Sequence, residues 1–284
     1  MTSKILLTGA TGTIGTELVK QLKHRGVAFS IMTARPGRGI AGATEVLGDF
    51  ADPATLTRAF AGVDTLFLLF PFAPNAIDLA RNAVAAAQAA GVKHIVRSSG
   101  IGADSTSPMA IAKMQGEIDD LVVATGIPYT LLRPAAFMQN HLNFNAAQIK
   151  AGAVHAPRGA GATSIVDVRD IAEVAAKVLL DPAAHAGQAY ELTGPEALTE
   201  AQQMAIISRA LGRTVKYIDV PEQAAIDAMV GMGMAPKVIE WFMSLNHIIK
   251  MGWAAGLSED VAKLTEHPPR SFEAFVRDHV SAWQ

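Results

Sequence analysis

The sequence predicts an α/β fold: a Rossmann-type, doubly wound parallel sheet with a small, mostly helical lobe on its C-terminal side. Three observations predict it. An apolar run, Ile5-Leu6-Leu7, leads into a glycine-rich turn and then into an amphipathic segment with Leu18, Val19 and Leu22 at helical spacing. Short apolar runs alternate with helical patterns as far as residue 132, as a parallel sheet covered by helices requires. After residue 135 that rhythm stops.

The strands expected from the runs are 4–8, 28–33, 44–47, 64–70, 93–98 and 127–132, and the helices between them are 13–25, 53–61, 75–90 and 108–125. Asp52-Pro53 opens the second helix, with proline at an early helical position. Ala90-Gly91 closes the third, glycine being the usual residue just past a helix end. Residues 151–163, rich in Gly and Ala, read as irregular, and 165–182 and 188–193 as two regular pieces. From 199 onward the chain reads as mostly helical, broken by Pro221, Pro236 and Pro268-Pro269. The expected division is a nucleotide-binding core over 1–135 and a substrate-side lobe over 136–284. Sheet elements of the lobe return to the core, making one compact unit.

Composition narrows the function. Half of the 284 residues are hydrophobic, enough for a large core, and the net charge is -2 with no basic stripe, which argues against nucleic acid as a partner. With no cysteine in the chain, disulfides, thiolate nucleophiles and Cys-based metal sites are excluded. The eight histidines show no metal-ligand spacing, so no metal is expected. The longest apolar run, around Leu66 to Ala73, is too short to span a bilayer, and the first strand begins too early to leave room for a signal peptide. The expected setting is the cytoplasm. A homodimer is left open.

The turn is Thr8-Gly9-Ala10-Thr11-Gly12-Thr13-Ile14-Gly15. Between a strand and a helix, such a turn presents helix N-terminal amides to a pyrophosphate. Gly9 permits the tight turn, Gly12 lets the phosphates approach the backbone, and Gly15 lets helix and strand pack closely. Thr11 and Thr13 add hydroxyls, and Ile14 an amide. The Gly-x-x-Gly-x-x-Gly spacing points to the short-chain dehydrogenase superfamily. The second strand ends in Thr33-Ala34-Arg35-Pro36-Gly37-Arg38, where an NAD-binding chain would carry a carboxylate for the ribose 2′-hydroxyl. None follows this strand. Arg35 and Arg38 suit a 2′-phosphate instead, so the expected cofactor is NADP(H). Asp49, with Phe50 beside it, reads equally as an adenine contact or as a turn carboxylate. Phe70, Pro71 and Phe72 follow the fourth strand and Ser98 and Ser99 close the fifth, at the carboxyl ends that line a cofactor crevice.

Further residues carry a resemblance. Thr8-Gly9-Ala10-Thr11-Gly12, Ala90-Gly91-Val92-Lys93-His94-Ile95, Leu132-Arg133-Pro134 with Phe137-Met138-Gln139-Asn140, Asp167-Val168-Arg169-Asp170 and Leu192-Thr193-Gly194-Pro195 span most of the chain. With them the chain resembles the NmrA-like group of atypical short-chain dehydrogenases, which includes triphenylmethane reductase and NADPH-dependent quinone reductases. The resemblance implies a Rossmann core, bound NADP(H) with Pro134 and Phe137 among its contacts, and either a reductase or a non-catalytic nucleotide sensor.

Typical superfamily enzymes use Tyr-x-x-x-Lys, the Tyr as proton donor and the Lys holding the nicotinamide ribose. Aligned on Lys113, the Tyr position falls on Met109, which transfers no proton. Lys113 is the candidate catalytic and ribose-binding residue; the bland alternative is a surface pair with Glu117. Without a strong acid, the chemistry expected is hydride delivery to a quinone or another conjugated electrophile, whose product is stabilised without an enzyme proton. Phe72, Met109, Phe137, Met138 and Asn140 are the expected substrate contacts, for a small aromatic or conjugated molecule. The segment Met229-Val230-Gly231-Met232-Gly233-Met234, with Trp241 and Phe242 nearby, reads first as core and second as an adaptable pocket wall. His141, His155 and His247 read first as structural and second as proton donors. Two alternatives stand beside the reductase: an NADP(H) sensor acting on a protein partner, and an imine or ether reductase of a biosynthetic pathway with Lys113 as general base.

Overall fold

In the computed structural model, residues 4–284 are described. β1 (Ile5–Leu7) is buried at every position, as a central parallel strand must be. α1 (Thr13–His24) follows the glycine turn and buries Ile14, Gly15, Leu18, Val19 and Leu22 on one face. Then come β2 (Phe29–Thr33), β3 (Thr44–Leu47), α2 (Pro53–Ala59), β4 (Thr65–Leu68), α3 (Ala76–Ala90), β5 (His94–Ser98), α4 (Ala110–Val123) and β6 (Tyr129–Pro134). The expected punctuation is found. The Asp52 side chain caps α2 by accepting from the Ala54 amide with Pro53 behind it, and Gly91 ends α3.

The next elements are β7 (Ala136–Phe137), α5 (Asn140–Asn143), α6 (Ala146–Ala151), β8 (Ala153–Ala156), β9 (Ala162–Val166), α7 (Val168–Leu180) and β10 (Gln188–Leu192). β10 joins β1 to β6 in a seven-stranded sheet of order β10-β6-β5-β4-β1-β2-β3. The order reverses between β1 and β4, and that switch point is where a doubly wound sheet opens its ligand crevice. The chain ends with β11 (Ala197–Thr199), α8 (Glu200–Leu211), β12 (Lys216–Asp219), α9 (Glu222–Gly231), α10 (Pro236–Lys250), α11 (Asp260–Thr265) and α12 (Phe272–His279).

Contacts divide the described residues into two units: those up to 107, 112–133 and 171–191 in the first, and 108–111, 134–170 and 192–284 in the second. The first holds an apolar cluster that includes Leu6, Phe60, Leu66, Leu68 and Ile95. The second is built on Met138, Ile149, Val154, Ile165, Met204, Ile207, Phe272, Phe275 and Trp283. Its sheets are small: β11-β9-β7, and the parallel pair β12-β8.

Three expectations need correction. Residues 151–163 are not irregular, because β8 and the start of β9 lie there; β8 pairs with β12 from Ala153 opposite Lys216 to Ala156 opposite Asp219, a partner some sixty residues away. The helical reading after 199 therefore misses β12. The Met-rich segment is not core: α9 buries none of its residues, and Val230 and Met232 are 60% and 71% exposed. Trp241 is core, being 1% exposed. Among the described residues, no helix is long and apolar enough to cross a membrane.

Candidate cofactor site

The glycine turn is built from the ends of β1 and β4. The buried Thr8 hydroxyl accepts from the Leu69 amide at 2.9 Å and faces the Phe67 and Leu69 carbonyls at 3.0 and 3.1 Å, tying the two strand ends together. Gly9 then turns with φ of +66°, a conformation that a side chain disfavours. A Cβ on Gly15 would lie 2.1 Å from the Gly9 carbonyl oxygen and 2.6 Å from the Ala10 Cα, so only glycine fits there. Gly12 is the N-cap of α1, and no side chain caps the helix. Its first-turn amides are the donors that a phosphate takes up at such a terminus. Thr11, Gly12 and Thr13 are exposed, while the Ile14 side chain is buried, which leaves only its backbone for a ligand.

Beside this turn lies an open cavity of about 310 Å³ lined by Gly9, Met32, Ala34, Gly48, Asp49, Phe50, Ala51, Pro71, Asn75 and Leu79. The cavity gathers residues from after β1, β2, β3 and β4. Asp49 performs its turn role, accepting from the Ala51 amide at 2.9 Å, and also faces the cavity. Pro71 lines this same space with Phe50. Phe70 packs its ring 5.0 Å from that of Phe50 and joins the apolar core.

Past β2 the guanidinium groups of Arg35 and Arg38 are exposed and make no ion pair among the described residues. A carboxylate does reach this loop, from the neighbouring strand. Glu45 of β3 accepts from the Thr33 hydroxyl at 2.8 Å, the Arg38 amide at 3.0 Å and the Gly37 amide at 3.3 Å. The Thr33 hydrogen bond leads the set that holds the Glu45 carboxyl below its ordinary range, against the opposing effect of burial. The sequence pattern carries no sign of this. Glu45 lies twelve residues after Thr33 and meets the loop only because β2 and β3 pair in parallel with Thr33 opposite Leu47.

The ends of β5 and β6 carry a buried polar cluster that the sequence pattern also hides. The Ser99 hydroxyl donates to Asp119 Oδ2 at 2.9 Å, and Arg133 Nε and Nη2 reach the same oxygen at 3.2 and 3.1 Å. Arg97 Nε lies 3.3 Å from Asp119 Oδ1, an ion contact without hydrogen-bond geometry. Arg97 also donates to Gln115 Oε1 at 2.6 Å and to the Ser98 carbonyl, and stacks over Phe70 at 5.5 Å. Burial pulls the Arg97 guanidinium down to about 10, against the raising effect of Asp119. Ser98 and Ser99 are buried, and Ser99 is engaged by a carboxylate rather than by backbone.

Lys113 is exposed on α4, its Nζ 4.0 Å from Glu117 Oε1, the outer limit of an ion pair. Met109, Pro134, Phe137, Met138 and Asn140 belong to the second unit. There Phe137 and Asn140 are half-buried, as is Met109. Met138 is 0% exposed, packed in the second unit's core, so as the chain stands its side chain is a core element rather than a pocket wall. Phe72, in the first unit, is exposed. His141 is buried against Gln203 Oε1 at 2.7 Å, His155 lies against Gln148, and His247 packs edge-on to Trp253: all three are structural contacts. The Asp-Val-Arg-Asp stretch is an internal tie, with Arg169 on Asp167 and Asp278, and the Arg270 amide on Asp170 at 2.8 Å. Among the described residues no acidic or histidine cluster could hold a metal.

A doubly wound sheet with a glycine turn and an uncapped helix at its switch point defines a dinucleotide-binding fold. The chain belongs to the NmrA-like family, whose pattern matches residues 1–276. It is 36% identical over 283 residues to an NAD(P)H azoreductase of Xenophilus azovorans, covering 98% of this chain and 99% of that one. It is equally 36% identical over 283 residues, with the same coverage, to the (4-alkanoyl-5-oxo-2,5-dihydrofuran-3-yl)methyl phosphate reductase of Streptomyces griseus. The NADPH-dependent quinone oxidoreductase of Escherichia coli, solved as a complex with NADPH, superposes with a TM-score of 0.85 at 29% identity, over 98% of both chains.

Proposed function

We propose that this chain is an NAD(P)H-dependent oxidoreductase that uses NADPH to reduce a conjugated electrophile without a tyrosine acid. Electrophiles of this class include quinones, azo compounds and enones. The observation that carries the reading is the combination of an open, uncapped glycine turn with Met109 standing four residues before Lys113. The relatives named above support it: they are reductases of an azo compound, an unsaturated furanone and a quinone.

The residues present fit the cofactor. The first-turn amides of α1 would hold the pyrophosphate, Gly15 keeps the turn close to the helix, and Arg35 and Arg38 offer unpaired cations for a 2′-phosphate. The apolar walls Met32, Phe50 and Leu79, with Asp49 and Asn75, suit an adenine. When bound, NADPH supplies the hydride. The chain's own part is to bind and orient. Lys113, with its ammonium only loosely paired to Glu117, is free to take the nicotinamide ribose. No side chain at position 109 gives a proton, so any proton comes from water, and catalysis rests on proximity and orientation.

The test is NADPH oxidation, followed by absorbance, across quinones, azo dyes, enones, iminium ions and cationic dyes, with Lys113→Ala beside the wild type. Turnover that falls at least tenfold in the variant is expected. Absence of turnover on every compound, with NADPH binding intact, would overturn the reductase and leave a nucleotide sensor.

A further inference from the structure

Glu45 stands in an unusual relation to the residues assigned to the cofactor. Its single carboxylate takes Thr33 on one side of Arg35 and the Gly37 and Arg38 amides on the other. The span Ala34-Arg35-Pro36 is therefore clamped at both ends, and the proline that closes it stiffens the backbone after Arg35. Beyond it, a Cβ on Gly39 would lie only 3.3 Å from Glu45 Oε2, so the loop wraps the carboxylate closely. Both oxygens accept from loop donors, Oε1 from Thr33 and Arg38 and Oε2 from Gly37, so the carboxylate is engaged in holding the loop. The chain thus carries an acid close to where an NAD-binding fold would place one, but turned to another task.

We infer that Glu45 is a positioning residue for cofactor choice: it holds the Arg35–Arg38 loop in the conformation that receives a 2′-phosphate, and preference for NADPH over NADH depends on it. The inference rests on the proposed NADP(H) reading and names a determinant of it. Its sign is distinctive. A carboxylate near a phosphate of about -1.5 to -2 charge repels it. If Glu45 acted through charge alone, its removal would tighten NADPH binding. If it acts by holding the loop, removal loosens NADPH and spares NADH, which makes no use of the arginines.

The experiment measures dissociation constants of NADPH and NADH, by nucleotide fluorescence, for the wild type, Glu45→Ala, Glu45→Gln and Arg35→Ala. Thermal melting checks each variant's fold. Glu45→Ala should weaken NADPH at least tenfold and change NADH less than twofold. Glu45→Gln keeps one acceptor oxygen and should recover part of the loss. Tightened or unchanged NADPH binding in Glu45→Ala, or equal loss of both nucleotides, would overturn the inference. The Arg35→Ala arm separates the two levels: selective NADPH loss there with none in Glu45→Ala sinks the role of Glu45 alone, whereas no NADPH loss in Arg35→Ala sinks the 2′-phosphate assignment beneath it.

Discussion

Adding one methyl group at Gly12 and, separately, at Gly15 should have opposite consequences, though the positions are three residues apart. At Gly15 the new Cβ meets backbone, 2.1 Å from the Gly9 oxygen and 2.6 and 2.7 Å from Ala10 Cα and C. Backbone cannot rotate away as a side chain can, so β1 and α1 must separate by roughly 1 Å, at a cost at the upper end of the ~1–3 kcal/mol typical of overpacking. Replacing glycine by alanine inside a helix returns about 1 kcal/mol. The net loss is about 2 kcal/mol, which at about 2–4 °C per kcal/mol for a chain of this size lowers Tm by roughly 4–8 °C. At Gly12 the new Cβ meets only the Gly9 oxygen, at 3.3 Å, so the apoprotein should lose less than about 1 kcal/mol, mostly through the poorer N-cap. The methyl would instead stand where the phosphates approach. Gly12→Ala should raise the Kd for NADPH by ~10–100-fold, about 1.4–2.8 kcal/mol. Scanning calorimetry with and without NADPH reads both effects, because a ligand raises Tm only as far as it binds the folded chain. A Gly15→Ala protein as stable as wild type would refute the packing argument. A Gly12→Ala protein with unchanged NADPH affinity would refute the placement of the pyrophosphate.

Two other outcomes follow from the buried titratable groups of the first unit. Asp119→Ala leaves the buried Arg97 without its counter-charge and should cost about 3–5 kcal/mol in denaturant unfolding; a loss under ~1 kcal/mol would mean that the cluster relaxes by admitting water. His94 is buried against Thr130 at 2.9 Å, and burial lowers it from 6.5 to about 4. The unfolded chain therefore takes a proton at this residue near pH 6.5, whereas the native one does not until about pH 4. The contribution of His94 is whole above pH 6.5 and is lost as the pH falls to about 4, by at most about 3 kcal/mol. Unfolding free energies of His94→Gln should be flatter than those of wild type across that window, and equal slopes would refute the assignment.

What the sequence reveals and what it hides divide along the range of the interactions. Asp52, Pro53 and Gly91 mark helix ends through contacts within a few residues, and they are found where their local chemistry places them. The buried run Ile5-Leu6-Leu7 and the glycine turn are likewise local, and together they fix the candidate cofactor end. β8 and β12 escape because each is four residues long and acquires strand geometry only from the other. Glu45 escapes because its contacts with the loop lie across a strand pair. The Arg97–Asp119–Arg133 cluster escapes because β5, α4 and β6 meet only in the folded unit. The Met-rich segment misleads for a different reason: apolar composition predicts burial, but no residue of α9 is fully buried, and Val230 and the Met232 that follows the helix remain in solvent.

The most direct test of the central claim, hydride delivery without an enzyme acid, is the pH profile of kcat/KM for reduction of a simple quinone by NADPH. With Met109 in the tyrosine position, and Tyr217, committed to the Ala156 carbonyl and Asp219, pushed up to about 12 by burial, no group of the chain should titrate as a donor. The profile should be flat from about pH 6.5 to 8.5. A limb that falls tenfold per pH unit within that range would reveal an essential acid and contradict the account.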